Sequence, residues 1–161
     1  MTRVAIAVGS NVGDRAAHLD YAVARLSIIL SSITVSRWYE TAPVGVGEQP
    51  LFLNGAIVGD ARLSPRELLD ALLAIECGRG RQRPHPGAPR TLDLDLILYG
   101  DRIIDEPGLT VPHPRFRERR FVLEPLAEIA PELIDPVTSS SVLELFERFE
   151  RNSPPRRTRS N

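Results

Sequence analysis

Hydrophobic and polar residues alternate over residues 91–96, and the row of leucines with a period of two continues to Leu98. Leucine occupies each even-numbered position from 92 to 98, so a strand here places every leucine on one buried face. Thr91, Asp93 and Asp95 then share the opposite face, and the buried leucines fix that register. Aspartate is a poor strand former, so two of them in one short strand indicate a functional reason for their presence.

Periodicity and capping signals predict the remaining elements. Residues 64–78 carry the strongest helix signal: Ser64 and Glu67 make a capping box, Pro65 takes the first helical position, and Gly78 ends the pattern. In chain order the sequence predicts strand 3–9, helix 14–30, strands 33–39 and 52–58, helix 64–78, strand 92–98, a hairpin turn at Gly100-Asp101 into a short strand 102–104, and helix 141–150.

This β-α-β-β-α-β order predicts an α+β fold, with a ferredoxin-like core, C-terminal additions and an antiparallel sheet flanked by helices. The chain has 161 residues, of which 42% are hydrophobic, so it can bury one sizeable core. No repeat or linker divides it, and we expect a single domain over residues 1–152. Residues 153–161 are polar, basic and proline-containing, and we expect a disordered tail there.

Composition narrows the possible chemistry. The net charge of −1 gives no reason to expect a nucleic-acid partner. The chain holds twenty arginines and no lysine, a bias that the base composition of the source genome alone would explain. It still excludes a P-loop lysine and a Schiff-base lysine. A bound phosphate would therefore be held by arginine, histidine, backbone N–H groups or metal.

Cysteine content and apolar runs indicate the compartment. Cys77 is the only cysteine, so neither an internal disulfide nor a cysteine-rich zinc site can form. The first apolar run is too short for a signal peptide, and no segment has the length of a membrane span. We therefore expect a cytoplasmic protein without a membrane partner.

The two aspartates suit a metal site. Positions two apart on a strand lie about 6.5 Å apart at the backbone, and their side chains can converge on two divalent cations about 3.5–4 Å apart. A solvated strand face is the more common meaning of an arbitrary Asp-x-Asp. Here Arg90 precedes the pair and Arg79, Arg81 and Arg83 lie upstream, which favours a metal and phosphate site. Complementing the helix dipole would explain Arg79 but neither Arg83 nor Arg90.

Two other segments offer binding groups. His113 lies between prolines in a loop, where packing gives no obvious reason for it, whereas Arg115 and Arg117 are expected on a solvated helix face. Phe52 and Asn54 project together from a predicted strand, and an aromatic face beside an amide suits a flat heterocycle. Taken alone, that pattern is weak, and core packing is the better interpretation of Phe52.

Together these motifs resemble the 6-hydroxymethyl-7,8-dihydropterin pyrophosphokinase family, the folate-pathway enzymes. The resemblance covers residues 4–136, and its most specific part is residues 89–96, Pro-Arg-Thr-Leu-Asp-Leu-Asp-Leu. The supporting motifs, in order, are Gly9-Ser10-Asn11, Gln49-Pro50 with Phe52-Leu53-Asn54, Gly80-Arg81-Gln82-Arg83, and Val111-Pro112-His113.

The resemblance implies transfer of pyrophosphate from ATP to the hydroxymethyl group of the pterin, with release of AMP. It implies two Mg²⁺ ions held by Asp93 and Asp95, and direct catalytic roles for these two residues with Arg81 and Arg90. For ATP it implies Glu76, Arg81, Arg83, Arg90, His113 and Arg119. For the pterin it implies stacking between Phe52 and Phe121, and contacts from Asn54, Thr41 and Val44.

The sequence departs from the family pattern in the loop before Arg90. The Arg-Trp common there is missing and the loop is one residue shorter, so we expect weaker loop closure or partial substitution by His85. Phe52 stands where tyrosine is frequent, and Leu73 replaces a polar residue that faces the nucleotide in some relatives.

Two other functions remain open at this stage. The Asp pair would also suit another two-metal enzyme, a phosphohydrolase or nuclease, which would release inorganic phosphate or cleave nucleic acid. The chain could instead be a non-catalytic ferredoxin-like binding module, for which Asp95→Ala would change neither ligand affinity nor turnover.

Overall fold

Five strands form one antiparallel sheet in the computed structural model, which describes residues 1–41, 51–79 and 91–153. The spatial order is β2-β4-β1-β5, and β3 pairs with β4 beyond the end of β2. This confirms the predicted ferredoxin-like arrangement. The strands are β1 (Thr2–Ser10), β2 (Leu30–Val35), β3 (Tyr39–Thr41), β4 (Phe52–Ala61) and β5 (Asp93–Tyr99).

Helices cover both faces of this sheet. The predicted capping boxes at Ser64 and Ser141 are both present, with Glu67 and Glu144 completing them, and the Asp14 carboxylate caps the first helix. None of the described helices has the length and apolar character that a membrane span requires. The helices are α1 (Arg15–Ile29), α2 (Pro65–Gly78), α3 (Arg120–Ile129) and α4 (Val142–Asn152).

The alternation along β1 divides the interior into two cores. Val4, Ile6 and Val8 pack with α1 and α2 on one face, whereas Ala5 and Ala7 face the second core, formed with α3 and α4. Leu92, Leu94 and Leu96 lie in the first core, as predicted. The side chains of Asp93 and Asp95 therefore point to the face that α3 and α4 cover.

A β-bulge changes the face of the last predicted leucine. Ala5 pairs with Leu98 and the next residue, Ile6, pairs with Leu96, so Ile97 is an extra residue in β5. The alternation shifts after it, and Leu98 lies in the second core rather than with the other leucines. The spacing of the leucines did not predict this bulge. The Ile97 carbonyl accepts a 3.0 Å hydrogen bond from the His113 backbone N–H.

The strand predicted over 33–39 is in fact two strands. β2 begins at Leu30, directly after α1, and its pairing with β4 ends at Val35. Trp38 then crosses Gly55, where an added Cβ would lie 2.4 Å from the indole ring. Pairing resumes with Tyr39 opposite Asn54, so the break in pairing coincides with the contact between Trp38 and Gly55.

The C-terminal half differs further from the prediction. The strand expected over 102–104 does not pair with β5; the chain forms β6 (Ile104–Glu106) and β7 (Leu109–Val111), a separate two-stranded sheet. The sequence did not predict α3, because Pro125 obscures its helical pattern. Residues 154–161 of the predicted tail lie outside the described ranges.

Candidate active site

The two predicted metal ligands occupy one face of β5. Asp93 lies opposite Gly9 on β1, and Asp95 lies opposite Ala7. Both aspartates are half-buried. Their cross-strand neighbours have a minimal side chain or none, so β1 places no bulky side chain between β5 and β4 at these two positions. The face can thus admit a ligand beside the carboxylates.

Gly9 connects this face to Asn54. It is in register with both Asp93 and Asn54, so these residues form one row across three strands. A Cβ added at Gly9 would lie 2.8 Å from the Asn54 Oδ1, which explains why the position needs glycine. Asn54 is 7% exposed, and its Nδ2 donates to the Thr41 Oγ1 at 2.5 Å. The amide is therefore held in one orientation on this face.

Phe52 lies on the same face as Asn54, two positions earlier in β4 and opposite Thr41. It is half-buried and belongs to neither hydrophobic core among the described residues. Within the described ranges, Phe52 therefore does not take part in the core packing that the residues alone favoured. Phe121, near the start of α3, packs at the margin of the second core, with the Arg119 guanidinium 5.7 Å from its ring centroid.

His113 is fixed on the other side of the carboxylates. Its N–H donates to Ile97, and its Nδ1 accepts a 3.1 Å hydrogen bond from the Arg115 backbone N–H. Burial lowers the pKa of His113, Arg119 and Arg115 lower it further, and Asp93 partly opposes them. The ring is therefore neutral near pH 7. With Nδ1 accepting, its proton lies on Nε2, which can donate to an anionic ligand.

The arginines around α3 differ in their partners. Arg115, Arg117 and Arg120 each pair with a carboxylate, whereas Arg119 has no carboxylate partner within the described ranges. The charge of Arg119 is thus the one that a bound anion can neutralise. The pairs are Arg115 with Glu118 at 2.9 Å, Arg117 with Asp135 at 2.5 Å, and Arg120 with Glu124 at 3.0 Å and Glu150 at 2.6 Å.

The sequence predicted that Arg115 and Arg117 would lie on a solvated helix face. Arg115 is exposed, as predicted, whereas Arg117 is not. Asp135 is fully buried and accepts from both Nε and Nη2 of Arg117. It also accepts from the Thr138 hydroxyl and the Val137 N–H. This pair fastens the 3₁₀ turn Phe116–Glu118, which lies between His113 and Arg119.

Glu76 is buried behind the aspartates. It is 3% exposed, and its Oε2 accepts a 2.7 Å hydrogen bond from the Leu94 backbone N–H. Leu94 stands between Asp93 and Asp95, so the carboxylate of α2 holds the outer edge of β5 where both aspartates project.

A cleft of about 270 Å³ adjoins the aspartates on the side of β7. Its walls are mainly apolar, and Asp95 and His113 lie at its margin. An apolar cleft with convergent polar groups is the usual form of a small-molecule site. The lining residues are Leu69, Leu94, Asp95, Leu96, Gly108, Leu109, Thr110, Val111, His113 and Pro114.

Several predicted site residues cannot be placed. Val44, Arg81, Arg83 and Arg90, and His85 with them, lie outside the described ranges. Within those ranges no three His, Cys, Asp or Glu side chains converge as a metal site. The donor set at β5 is therefore two carboxylates, which suits Mg²⁺, an ion usually bound by one or two carboxylates together with substrate phosphates and water.

Residues 5–131 match the model of the 7,8-dihydro-6-hydroxymethylpterin-pyrophosphokinase (HPPK) family. The chain belongs to this family. HPPK members are enzymes, and relatives named 2-amino-4-hydroxy-6-hydroxymethyldihydropteridine pyrophosphokinase occur in Synechocystis, Pseudomonas aeruginosa and Bacillus subtilis. They are 43%, 42% and 45% identical over 90%, 81% and 84% of this chain, and over 75%, 82% and 82% of their own lengths.

Other HPPK relatives are much longer. The chain is 38% identical to the folic acid synthesis protein of Pneumocystis carinii but spans 20% of it. The crystal structure of the wild-type HPPK-DHPS protein of Plasmodium falciparum has the same fold, with a TM-score of 0.73 at 14% identity. That likeness covers 92% of this chain and 44% of the other chain.

Sequence reasoning missed three features of this HPPK site. One feature of the sequence could have indicated the close approach of Gly9 to Asn54: a glycine in an apolar strand often marks a close backbone approach. Glu128, which binds Tyr39, and Asp135, which binds Arg117, had no signal, because their partners are distant in sequence.

Proposed function

We propose that this chain transfers pyrophosphate from ATP to the hydroxymethyl group of 6-hydroxymethyl-7,8-dihydropterin and releases AMP, as a folate-pathway enzyme. The activity is that named for its relatives. We further propose that residues 1–152 act as one domain in the cytoplasm, with these two small molecules as partners.

The row Asp93–Gly9–Asn54 supports this function most directly. Adjacent strands lie about 4.8 Å apart, so the backbones of Asp93 and Asn54 are about 10 Å apart with bare glycine between them. We place a flat bicyclic ring along this row, with its amide edge at Asn54. Its hydroxymethyl group would then point toward the carboxylates.

The groups around Asn54 suit the pterin. The Asn54 amide can pair with the polar edge of the ring, and Phe52 supplies an aromatic surface outside both cores. We assign Phe121 to the opposite face of the ring, and Thr41 and Val44 to contacts at its edge. This arrangement excludes water from both faces of the heterocycle.

The cleft beyond Asp95 suits the nucleoside of ATP. Its apolar walls can cover an adenine ring, and Thr110 is a polar residue among those that line it. Asp95 and His113 both line this cleft, and we assign the phosphates to the His113 Nε2–H and the guanidinium of Arg119. We assign Arg81, Arg83 and Arg90 to the same phosphates.

Asp93 and Asp95 would hold two Mg²⁺ ions together with the phosphate oxygens. When bound, such ions neutralise charge on the phosphoryl group under attack. Because Glu76 is buried and accepts from Leu94, we revise its expected role from ATP ligand to positioning group for the two aspartates.

The chain's own groups hold the reactants in line. The hydroxymethyl oxygen forms a bond to the β-phosphorus of ATP while the bond from that phosphorus to the oxygen bridging the α-phosphorus breaks. AMP leaves with that oxygen and its electron pair, and the hydroxyl proton passes to solvent. Arg81, Arg90 and Arg119 would stabilise the developing negative charge, so positioning and electrostatics supply the catalysis.

The test is an assay with the purified protein, ATP, MgCl₂ and hydroxymethyldihydropterin, in which nucleotides are separated by anion exchange. We expect AMP in equal amount to the pterin diphosphate, and no AMP without pterin. Accumulation of ADP or inorganic phosphate, or persistence of ATP, would refute the proposal. Release of phosphate without pterin would support the phosphohydrolase alternative.

A further inference from the structure

Tyr39 extends the row of site residues by one strand. It lies opposite Asn54 in the pairing of β3 with β4, and residues opposite each other in an antiparallel pair share a face. Its side chain therefore projects toward α3, on the face where Asn54, Gly9 and Asp93 lie. Neither the motifs nor the proposed reaction assigns it a role.

The hydroxyl of Tyr39 binds a carboxylate of α3. It donates to the Glu128 Oε1 at 2.5 Å, and Arg37 reinforces the contact. The Arg37 backbone N–H lies 3.3 and 3.2 Å from the two Glu128 oxygens, and its Nε lies 3.4 Å from Oε1. One carboxylate thus fastens α3 to the segment that enters β3.

The same helix carries Phe121 about two turns earlier. Phe121 and Glu128 are spaced i and i+7, which places them on one side of the helix, about 10 Å apart along its axis. The contact at Glu128 therefore fixes the distance of this side from β3. That distance sets the gap between Phe121 and the strands.

Two residues of β3 contact groups on opposite sides of that gap. Tyr39 is bound to α3, and Thr41 accepts from Asn54. A shift of β3 relative to α3 would move the amide of Asn54 and the ring of Phe121 in relation to each other. Among the described residues, none of those that line the nucleotide cleft belongs to α3.

We propose that the Tyr39–Glu128 hydrogen bond is a positioning contact that sets the pterin-binding gap between Asn54 on β4 and Phe121 on α3. This inference rests on the proposed function. It predicts that the contact affects pterin binding and leaves ATP binding unchanged.

The primary variant is Tyr39→Phe, which removes the hydroxyl and keeps the ring. We expect its pterin KM, and its pterin Kd from fluorescence titration, to rise about tenfold, with the ATP KM within about twofold of the wild type. Glu128→Gln keeps an acceptor oxygen and should retain most of the affinity. Glu128→Ala should match Tyr39→Phe, and the double variant should be no weaker than either one.

Tyr99→Phe is the matched control. Its hydroxyl donates to the Leu63 carbonyl at 2.6 Å, and Tyr99 pairs with Val4 at the opposite end of β5 from Asp93. This variant should leave both KM values unchanged even if it lowers the melting temperature.

The outcomes separate the two claims. If the wild type forms AMP and Tyr39→Phe leaves the pterin KM and Kd unchanged, or raises the pterin and ATP KM values together, the positioning role is refuted while the function stands. If the wild type neither forms AMP nor binds pterin, both claims are refuted. A pterin effect in Tyr99→Phe equal to that in Tyr39→Phe would indicate loss of stability and would also refute the positioning role.

Discussion

The Glu76 carboxylate accepts a 2.7 Å hydrogen bond from the backbone N–H of Leu94, the residue between Asp93 and Asp95. The leucine side chain enters the first core, so the aspartate side chains must point to the other face. α2 and the core thus position both carboxylates from behind.

Replacing Glu76 tests this support. Glu76→Ala would leave the buried Leu94 N–H without this acceptor, and we expect it to lower the free energy of unfolding by about 1–3 kcal/mol. Glu76→Gln retains an oxygen and should cost less. Urea denaturation measures the difference; equal stability of the alanine variant and the wild type would contradict the structural role.

The two aspartates should be essential for turnover and dispensable for folding. Asp93→Asn and Asp95→Asn keep the side-chain volume and remove the charge, so we expect kcat to fall by a factor of about 100 or more with the melting temperature little changed. Asp101→Asn, at an exposed turn position, is the control and should retain full activity. Full turnover in either site variant would exclude the proposed metal role.

Gly9→Ala should impair the pterin site selectively. The added Cβ would lie 2.8 Å from the Asn54 Oδ1, so the amide must shift, at a cost of about 1–3 kcal/mol. We expect the pterin KM to rise about tenfold or more and the ATP KM to stay near its wild-type value. An unchanged pterin KM in a folded variant would show that Asn54 does not bind the polar edge of the pterin ring.

Local patterns predicted the core of the fold well. Alternating leucines, capping boxes and turn residues act between neighbours in the sequence, and they correctly located β5, α2 and α4. The bulge at Ile97 was not predicted, because it depends on pairing with Ala5 and Ile6, which are distant in sequence. The break before Tyr39 likewise depends on Trp38 meeting Gly55.

The placement of the candidate site residues was predicted in part for the same reason. The shared face of Asp93 and Asp95 was predicted because their alternation with leucines is local. The role of Arg117 was missed because its partner, Asp135, is buried in a later turn, and a run of arginines resembles a solvated surface. The sequence could not show that Arg119 has no carboxylate partner in the described ranges, because this depends on which carboxylates pair with the neighbouring arginines.

Arg119 should matter for ATP far more than Arg115. Arg119→Ala removes a guanidinium without a carboxylate partner in the described ranges, and loss of a charged, bidentate phosphate contact costs about 1.5–3 kcal/mol. The ATP KM should therefore rise roughly 10- to 100-fold. Arg115→Ala, which removes an exposed partner of Glu118, should change it by less than about threefold. Equal effects in the two variants would argue against a phosphate contact at Arg119.

The Arg117–Asp135 pair should contribute stability that depends on pH. Burial alone would raise the pKa of Asp135, but hydrogen bonds from Arg117, Thr138 and Val137 outweigh it and hold the pKa below the ordinary 3.8. Since the folded state favours the ionised carboxylate, this stabilisation is complete well above 3.8 and is lost as the pH falls below it.

Asp135→Asn should therefore destabilise the protein at neutral pH and much less in acid. Removing one partner of a buried pair costs about 3–5 kcal/mol, and urea denaturation at pH 7 should show a loss of that order. The gap to the wild type should persist at roughly pH 5 and narrow at roughly pH 3, because Asp135 of the unfolded wild type is then largely protonated and must lose its proton on folding. Glu118→Gln, which removes the exposed partner of Arg115, should stay within about 0.5 kcal/mol of the wild type. A gap that stays constant into acid would show that the charge of Asp135 does not hold the turn.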